Sequence, residues 1–600
     1  MIPPDPPPGR RLLREALALL ACGVLIVLAI ARLDPGLAAA TLPREGLLGL
    51  VLLNALPALC LYALLVGLLR RALLPAWLVL LVLGGLFAAN ARKLAMLETP
   101  VLPADFRLFA EPGPAVALLA QYIHMDLLHW LALIGAAAFT VLLFLERRLA
   151  LLARWRAPIV AVLAAGLLAT LVAGSWPWNR LYNAHALGFQ PWTLSQSSLR
   201  TGLVNSLLLY NWQVGTGDVP SGDRAAALAF LHRHGADLRA ALDAGADAAT
   251  LPDIVVVQSE SLFDPARVNG VPEGRFLRQL DRLRKIATSG DMQVPTFVGG
   301  TIRTEFEVLT GAPLASLGGL QYPWLELARS DYPNLARLLG ERGYTRTAIH
   351  PNAAAFWNRA RTYPALGFEH FIDSSEFDQN RIVGLFLSDE AMTDRILEEL
   401  VDEGPPQFLF AISMENHGPF DWRPNLDPER LAALPMPEKL DAGGRLWFGN
   451  YLYLLHDADH ELGRLAGALR QRKRRSLLLF YGDHLPGLAP VYFQLGFKDG
   501  RDAREQPVPW LLLDTANPHP ARLDTTSWLL PGLLLQAAGV HDDAWFSLLA
   551  TLARDPEFDP DDADARSGIE ALARLQLHGE LAPVLEEAMA SGRQDNGAGS

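Results

Sequence analysis

The stretch Ser476-Leu477-Leu478-Leu479-Phe480-Tyr481-Gly482-Asp483-His484 decides the fold. A short apolar run ending in adjacent Asp and His reads as a buried strand. It delivers an oxygen and a nitrogen ligand to the carboxyl edge of a sheet, where open α/β folds place their sites. Asp483 and His484 are therefore candidate metal ligands. Two other stretches are built to meet them. In Asp253-Ile254-Val255-Val256-Val257-Gln258-Ser259-Glu260 a β-branched run ends in a carboxylate, which puts Glu260 at the same edge. In Gly299-Gly300-Thr301-Ile302-Arg303-Thr304-Glu305-Phe306 two glycines precede a hydroxyl, allowing a sharp bend and a helix start that suits an anion. Thr301 is the candidate nucleophile. Each feature alone is more often a cap or a bend. Three at the mouth of one sheet point to a metal site.

Outward from these stretches, apolar strands alternate with amphipathic helices. The strands are read as Ile254 to Gln258, Arg346 to His350, Phe408 to Met414, Leu477 to Tyr481 and Trp510 to Asp514, with helices such as Tyr332 to Arg342 and Tyr451 to Leu469 between them. That alternation predicts an α/β domain with a mainly parallel sheet over residues 251–540. Residues 541–600 read as peripheral helices and, from Ser591, a disordered tail.

The 600-residue chain is too long for one ordinary domain, and at 51% hydrophobic it is rich in apolar residues for a soluble protein. Five apolar runs account for this: Ala16 to Ala31, Gly46 to Leu69, Ala72 to Asn90, Leu127 to Leu145 and Ala157 to Gly174. Each is near the roughly 20 residues that cross a bilayer as a helix. Residues 1–174 are thus expected to be a five-span transmembrane region. Basic residues favour the side holding Arg10, Arg11, Arg14, Arg70, Arg71, Arg147, Arg148, Arg154 and Arg156, which puts the amino terminus in the cytoplasm and everything after Gly174 outside. Arg92 and Lys93 run against that bias. Residues 175–250 read as an interfacial and helical linker, because Trp176, Trp178, Tyr182, Trp192, Tyr210 and Trp212 recur where charge is sparse and Arg224 to Ala248 looks helical. A net charge of -12 excludes nucleic acid as the expected partner. The two cysteines, Cys22 and Cys60, both lie in apolar runs, so any metal is held by oxygen and nitrogen.

These residues resemble the lipoteichoic-acid synthase and phosphoglycerol transferase group of the alkaline phosphatase and sulfatase superfamily. Five local matches carry the resemblance, in the family's order: Ser259-Glu260-Ser261, Gly300-Thr301 with Glu305-Phe306, Phe356-Trp357-Asn358-Arg359, Glu415-Asn416-His417-Gly418-Pro419-Phe420, and Tyr481-Gly482-Asp483-His484. The loop Pro100-Val101-Leu102-Pro103-Ala104-Asp105 is also similar to the family's membrane region. The resemblance implies that Glu260, Thr301, Asp483 and His484 bind one divalent ion, usually manganese, with zinc or magnesium as alternatives. Two carboxylates, an alkoxide and an imidazole are a donor set suited to such ions. It further implies that Thr301 attacks phosphorus and that Trp357 and Arg359 hold the headgroup. His417, just past a strand end, is a second catalytic and substrate-binding residue because its pKa lies near working pH. His350 is a weaker substrate-binding candidate. Asn352 stands where some members have an acid, which touches the recognition of acceptor or glycerol. Asp457, Asp459 and His460 fall in a predicted helix and read as its polar face.

The implied activity is transfer of phosphoglycerol from phosphatidylglycerol, a membrane lipid donor, to an extracytoplasmic glycan hydroxyl at a bacterial inner membrane. If the cell is Gram-negative, the acceptor is a periplasmic glucan or similar glycan. The alternatives are a phosphoethanolamine transferase, a lipid-headgroup phosphodiesterase on the same site, and a non-catalytic membrane-anchored binding or sensor protein. A sulfatase needs Cys or Ser in a Cys/Ser-x-Pro-x-Arg pattern. Ser175-Trp176-Pro177-Trp178-Asn179-Arg180 has its arginine one place late.

Overall fold

The computed structural model describes residues 8–39, 44–97, 100–103, 105–108, 127–152, 155–184, 186–189, 194–213, 218–243, 251–327, 331–354 and 356–588. Thr99, Ala104, Trp192, the predicted helix end 244–248 and the tail from Ser591 lie outside them. The chain divides into two compact units, one of residues 1–107 with 122–215, the other of residues 108–121 with 216–600.

In the first unit, α1 (Pro8–Leu33), α2 (Arg44–Leu69) and α3 (Leu73–Leu97) are the three helices among the described residues long and apolar enough to cross a membrane. Helices α4 (Leu127–Leu143) and α5 (Arg156–Val172) are equally apolar but 17 residues long. Helices α2 and α5 approach so closely at Gly67 that a Cβ there would lie 2.6 Å from Ala161 N, the small-residue contact that packs helices in lipid. Glu146 accepts hydrogen bonds from the amides of Ala72, Leu73 and Leu74, a carboxylate set against the positive end of α3. The aromatic residues past α5 divide in use. Trp176 is exposed, whereas Tyr182 and Tyr210 are buried and the Tyr182 hydroxyl donates to Leu53 O at 2.8 Å. Two of the five described aromatic residues of that apparent surface belt are core.

The second unit is built on a mixed, mainly parallel sheet. Its strands are β1 (Asp253–Ser259), β2 (Thr288–Gln293), β3 (Thr345–Ile349), β4 (His370–Ile372), β5 (Gln407–Ile412), β6 (Ser476–Gly482), β7 (Val508–Asp514) and β8 (Ala521–Arg522), in the spatial order β8-β2-β7-β6-β1-β5-β3-β4. From β6 to β4 every pairing is parallel, while β7 runs antiparallel to both β6 and β2. All seven residues of β1 and of β6 are buried, as expected of central parallel strands covered on both faces. All five strands read from the sequence are present. Strand β2, Thr-Ser-Gly-Asp-Met-Gln, was not legible because it lies toward the edge, half exposed and without β-branched residues beyond its first.

The register sets up the site. Ser259 pairs with Gly482 and Gln258 with Ile412, so β1, β5 and β6 end level with one another. Glu260, Ser413 and Asp483 therefore emerge side by side. Gly482 allows this closeness, since a Cβ there would lie 2.3 Å from Leu262 O.

Candidate metal and nucleophile centre

One ligand atom from each of Glu260, Asp483 and His484 lies within 4.8 Å of the others, and all three residues are buried. His484 Nδ1 is 2.9 Å from Leu485 O, a contact that needs its proton on Nδ1 and leaves a lone pair on Nε2. That lone pair is 3.3 Å from Glu260 Oε1 and 3.3 Å from Asp483 Oδ2. Asp483 Oδ2 and His484 Nε2 are buried with no hydrogen-bond partner among the described residues. Three acceptors converging in a dry site cost several kcal/mol unless a cation sits among them. Burial, and after it the charge of Glu260, pushes the Asp483 carboxyl well above its usual range. At Glu260 burial acts in the same sense, but His417, His484 and the hydroxyls of Ser261 and Thr301 outweigh it and hold the carboxyl low. This donor set fits a divalent ion of borderline hardness.

Thr301 joins the cluster. Its hydroxyl donates to Glu260 Oε2 at 3.2 Å. It occupies the first position of α6 (Thr301–Thr310), where the helix dipole favours negative charge. The turn before it is left-handed at Val298, Gly299 and Gly300 in succession, and a Cβ on Gly300 would come within 3.0 Å of Thr296 Oγ1.

Several residues that position this centre were not singled out from the sequence. Ser261, left-handed at φ 51, donates its amide to Asp483 Oδ1 at 2.8 Å and its hydroxyl to Glu260 Oε1 at 2.9 Å. Ser413 accepts the Glu260 amide at 2.9 Å. Tyr481 donates to Gln258, whose amide donates to Thr301 O, a line that ties β6 and β1 to the candidate nucleophile. Tyr481, Gln258 and Ser261 all lie inside the quoted motifs, so adjacency to a ligand was the signal that could have found them.

The remaining sequence-predicted residues separate. His417 is half-buried, with Nδ1 2.7 Å from Gly418 O, and lies near enough to Glu260 and His484 for their charges to act on it. Burial lowers its pKa, and the charge of Glu260 acts in the opposite sense. His350 holds Nδ1 3.1 Å from Ile412 O, and its buried Nε2 has no partner among the described residues. Burial, then the charge of Arg359, pushes its pKa well down. Arg359 is fully buried and gives two hydrogen bonds to Glu305 Oε2, at 2.6 and 3.2 Å, while Nη1 is left without a partner among the described residues. Trp357 is left-handed at φ 56 and stacks on Tyr322 at 5.1 Å. Asp457 pairs with Arg430, Asp459 accepts the amides of Gln279 and Leu280, and His460 is exposed beside Glu461, a helix face in ordinary use.

Known proteins resemble this chain in sequence and in fold. A Rhizobium meliloti protein named for cyclic beta-1,2-glucan modification is 31% identical over 268 residues, 44% of this chain and 40% of that one. Lipoteichoic acid synthase 1 of Bacillus subtilis is 28% identical over 160 residues, 26% of this chain and 24% of that one. The chain spans about half or less of the length of the curated relatives it matches. Among solved structures, the phosphoglycerol transferase GacH of Streptococcus pyogenes, in complex with sn-glycerol-1-phosphate, superposes with a TM-score of 0.51. The match has 22% identity and covers 60% of this chain and 94% of that one, a likeness of fold. The Sulfatase family model matches residues 252–531, and the chain accordingly carries a sulfatase-family domain there.

Proposed function

We propose that this protein is a membrane phosphoglycerol transferase that moves a glycerophosphoryl group from phosphatidylglycerol to the hydroxyl of an extracytoplasmic glycan. The observation that carries the reading is the Thr301 hydroxyl hydrogen-bonded to Glu260 inside a buried cluster of converging, unpartnered ligand atoms. A binding or sensor protein has no use for a nucleophile held in that position.

In this reading Glu260, Thr301, Asp483 and His484 hold one divalent ion, manganese by preference. The ion would supply positive charge that acidifies the Thr301 hydroxyl and offsets the charge of the phosphoryl oxygens. Thr301 Oγ attacks the headgroup phosphorus, the bond from phosphorus to the diacylglycerol oxygen breaks, and the threonine carries the glycerophosphoryl group. His417 relays the proton from the attacking hydroxyl to the departing oxygen. In the second half an acceptor hydroxyl attacks the phospho-threonine, and the same relay returns the proton to Thr301. Arg359 Nη1, a donor, and His350 Nε2, an acceptor, are both buried and without partners among the described residues, and they are offered to a phosphoryl oxygen and to a headgroup hydroxyl respectively. Trp357 offers the headgroup an aromatic wall.

The membrane arrangement belongs to the same reading. Helices α4 and α5, with their apolar flanks, complete five spans, the amino terminus is cytoplasmic and the sulfatase-family domain faces the periplasm. The relative named for glucan modification supports a cyclic β-glucan as acceptor.

The test is incubation of the full chain with headgroup-labelled phosphatidylglycerol and Mn²⁺, followed by intact-mass analysis. The expected result is a gain of one glycerophosphoryl group that is absent in Thr301→Ala and after chelation. Metal-loaded protein that forms no adduct and releases no diacylglycerol overturns the phosphoglycerol reading. An adduct formed only from phosphatidylethanolamine changes the headgroup and keeps the site.

A further inference from the structure

A cleft of about 410 Å³ opens in the second unit, in the segment that begins at Asp264, just past Glu260, and against the loop that follows the Asp483-His484 segment. Its size falls within the roughly 300–1,000 Å³ of ordinary small-molecule sites. Its walls are preformed. Asn269 N donates to Gly496 O at 3.1 Å, the Asn269 side chain donates to Leu495 O and Phe497 O, and Lys498 N donates to Arg267 O at 2.8 Å. The segment that follows Glu260 is thus hydrogen-bonded to the loop that follows the helix Ala489–Leu495.

The chemistry of the lining is specific. Four cationic side chains, including Arg267, Arg275 and Arg284, face four carboxylates, including Asp264, Asp281 and Asp499, and Phe276 lies among them. The opposite charges are equal in number, so the cleft has no excess field to draw a phosphate, and its polar walls do not suit an acyl chain. A dense array of donors and acceptors with no excess charge suits a neutral ligand rich in hydroxyls. Arg275 is exposed and outside the ion pairs of the described residues, so its guanidinium is available to such a ligand without breaking an internal contact.

We infer that this cleft is a saccharide-binding subsite that holds a neutral oligosaccharide acceptor. The assignment of the ligand as acceptor rests on the transferase reading above, and its binding does not.

The experiment titrates cyclic β-1,2-glucan into full-length, metal-loaded Thr301→Ala protein by calorimetry, and into the same protein carrying Arg275→Glu or Asp281→Asn. Diacylglycerol release from phosphatidylglycerol without acceptor is measured in parallel on the nucleophile-intact chains. The expected result is saturable binding that each cleft substitution weakens at least tenfold, with acceptor-free release unchanged. Glucan that binds equally well to all variants, or not at all, overturns the subsite. Binding confined to glucan already bearing phosphoglycerol overturns the neutral-ligand assignment. Glucan binding without any diacylglycerol release keeps the subsite and sinks the transferase reading, while release without glucan binding does the reverse.

Discussion

Arg359 and Glu305 are as deeply buried as Glu260, Asp483 and His484, yet the two groups settle their charges differently. Glu305 accepts two hydrogen bonds from Arg359 and one from Trp324 Nε1 at 2.9 Å, so a cation and an anion cancel inside the protein. At the metal cluster Glu260, Asp483 and the His484 ring converge, and Asp483 Oδ2 and His484 Nε2 find no hydrogen-bond partner among the described residues. A buried pair completed from within is scaffold. A buried cluster left incomplete is held for something from outside. The charge of Arg359 is met by Glu305, and its Nη1 is left without a partner among the described residues.

The largest effect should come from the incomplete cluster. Thr301→Ala and Asp483→Asn are each expected to lower transfer by roughly 10³-fold or more, as loss of a nucleophile or a ligand does. Asp483→Asn carries a second signature. Without metal it removes one of the two opposed carboxylates, so the unfolding temperature should rise. With Mn²⁺ it loses a ligand, so the unfolding temperature should fall below wild type. Thermal unfolding with and without metal reads both signs, and the same sign in both conditions would erase the contrast between the two clusters.

Breaking the completed pair should cost stability first. Arg359→Leu or Glu305→Leu leaves one buried charge unpaired, a loss of about 3–5 kcal/mol, and the double substitution should cost less than the sum of the singles. Denaturant unfolding of the three variants measures this. An Arg359→Leu protein of unchanged stability that has lost its affinity for lipid would return the guanidinium to substrate binding.

A third buried carboxyl sits between these extremes. Glu307, inside α6, accepts hydrogen bonds from Leu314 N and from the Ser527 hydroxyl, yet burial lifts its pKa to about 7. Its folded pKa lies above its unfolded value of 4.5. The protonated form is therefore the one that folding favours: its contribution is fully present below pH 4.5 and is lost as pH rises through about 7. The shift corresponds to roughly 3 kcal/mol at most, by the usual 1.36 kcal/mol for each pH unit. Glu307→Gln should therefore remove part of the decline in unfolding free energy between pH 5 and about 8. Parallel pH profiles for the two proteins refute this.

The sequence exposed the parts of this molecule that follow local rules. Buried central strands are largely apolar runs, which is why β1, β5, β6 and the antiparallel β7 could be placed and why Glu260, Asp483 and His484 could be set at one edge. It did not expose β2, whose polar residues pair only because β7 turns back against the sheet. Nor did it reveal that Glu305, 54 residues before Arg359 in the chain, neutralises it. That contact depends on how the helices bearing them pack. The aromatic run after α5 misled in the same way, since Tyr182 and a surface tyrosine look alike until Leu53 O is found beside the hydroxyl.

The smallest effect tests whether the nucleophile and the headgroup wall act together. Arg303 lies two residues beyond Thr301, and its Nε donates to Gln321 O at 2.8 Å and its Nη1 to Thr296 Oγ1 at 3.2 Å. The Thr296 hydroxyl in turn donates to Gly299 O at 2.6 Å, within the left-handed turn that presents Thr301. The same guanidinium lies 5.2 Å from the centre of the Tyr322 ring, which stacks on Trp357. One planar fork thus holds the turn before the nucleophile and the base of the aromatic wall. Lysine keeps the charge and cannot reproduce the fork. Arg303→Lys should therefore lower kcat by roughly tenfold, about 1.4 kcal/mol, and raise KM for the lipid, with little change in unfolding temperature. Tyr322→Leu, which removes the ring and leaves the Thr296 contact, should raise KM and spare kcat. If Arg303→Lys moves KM alone, the guanidinium serves only the wall. If it moves kcat alone, the wall stands without it and the coupling is absent.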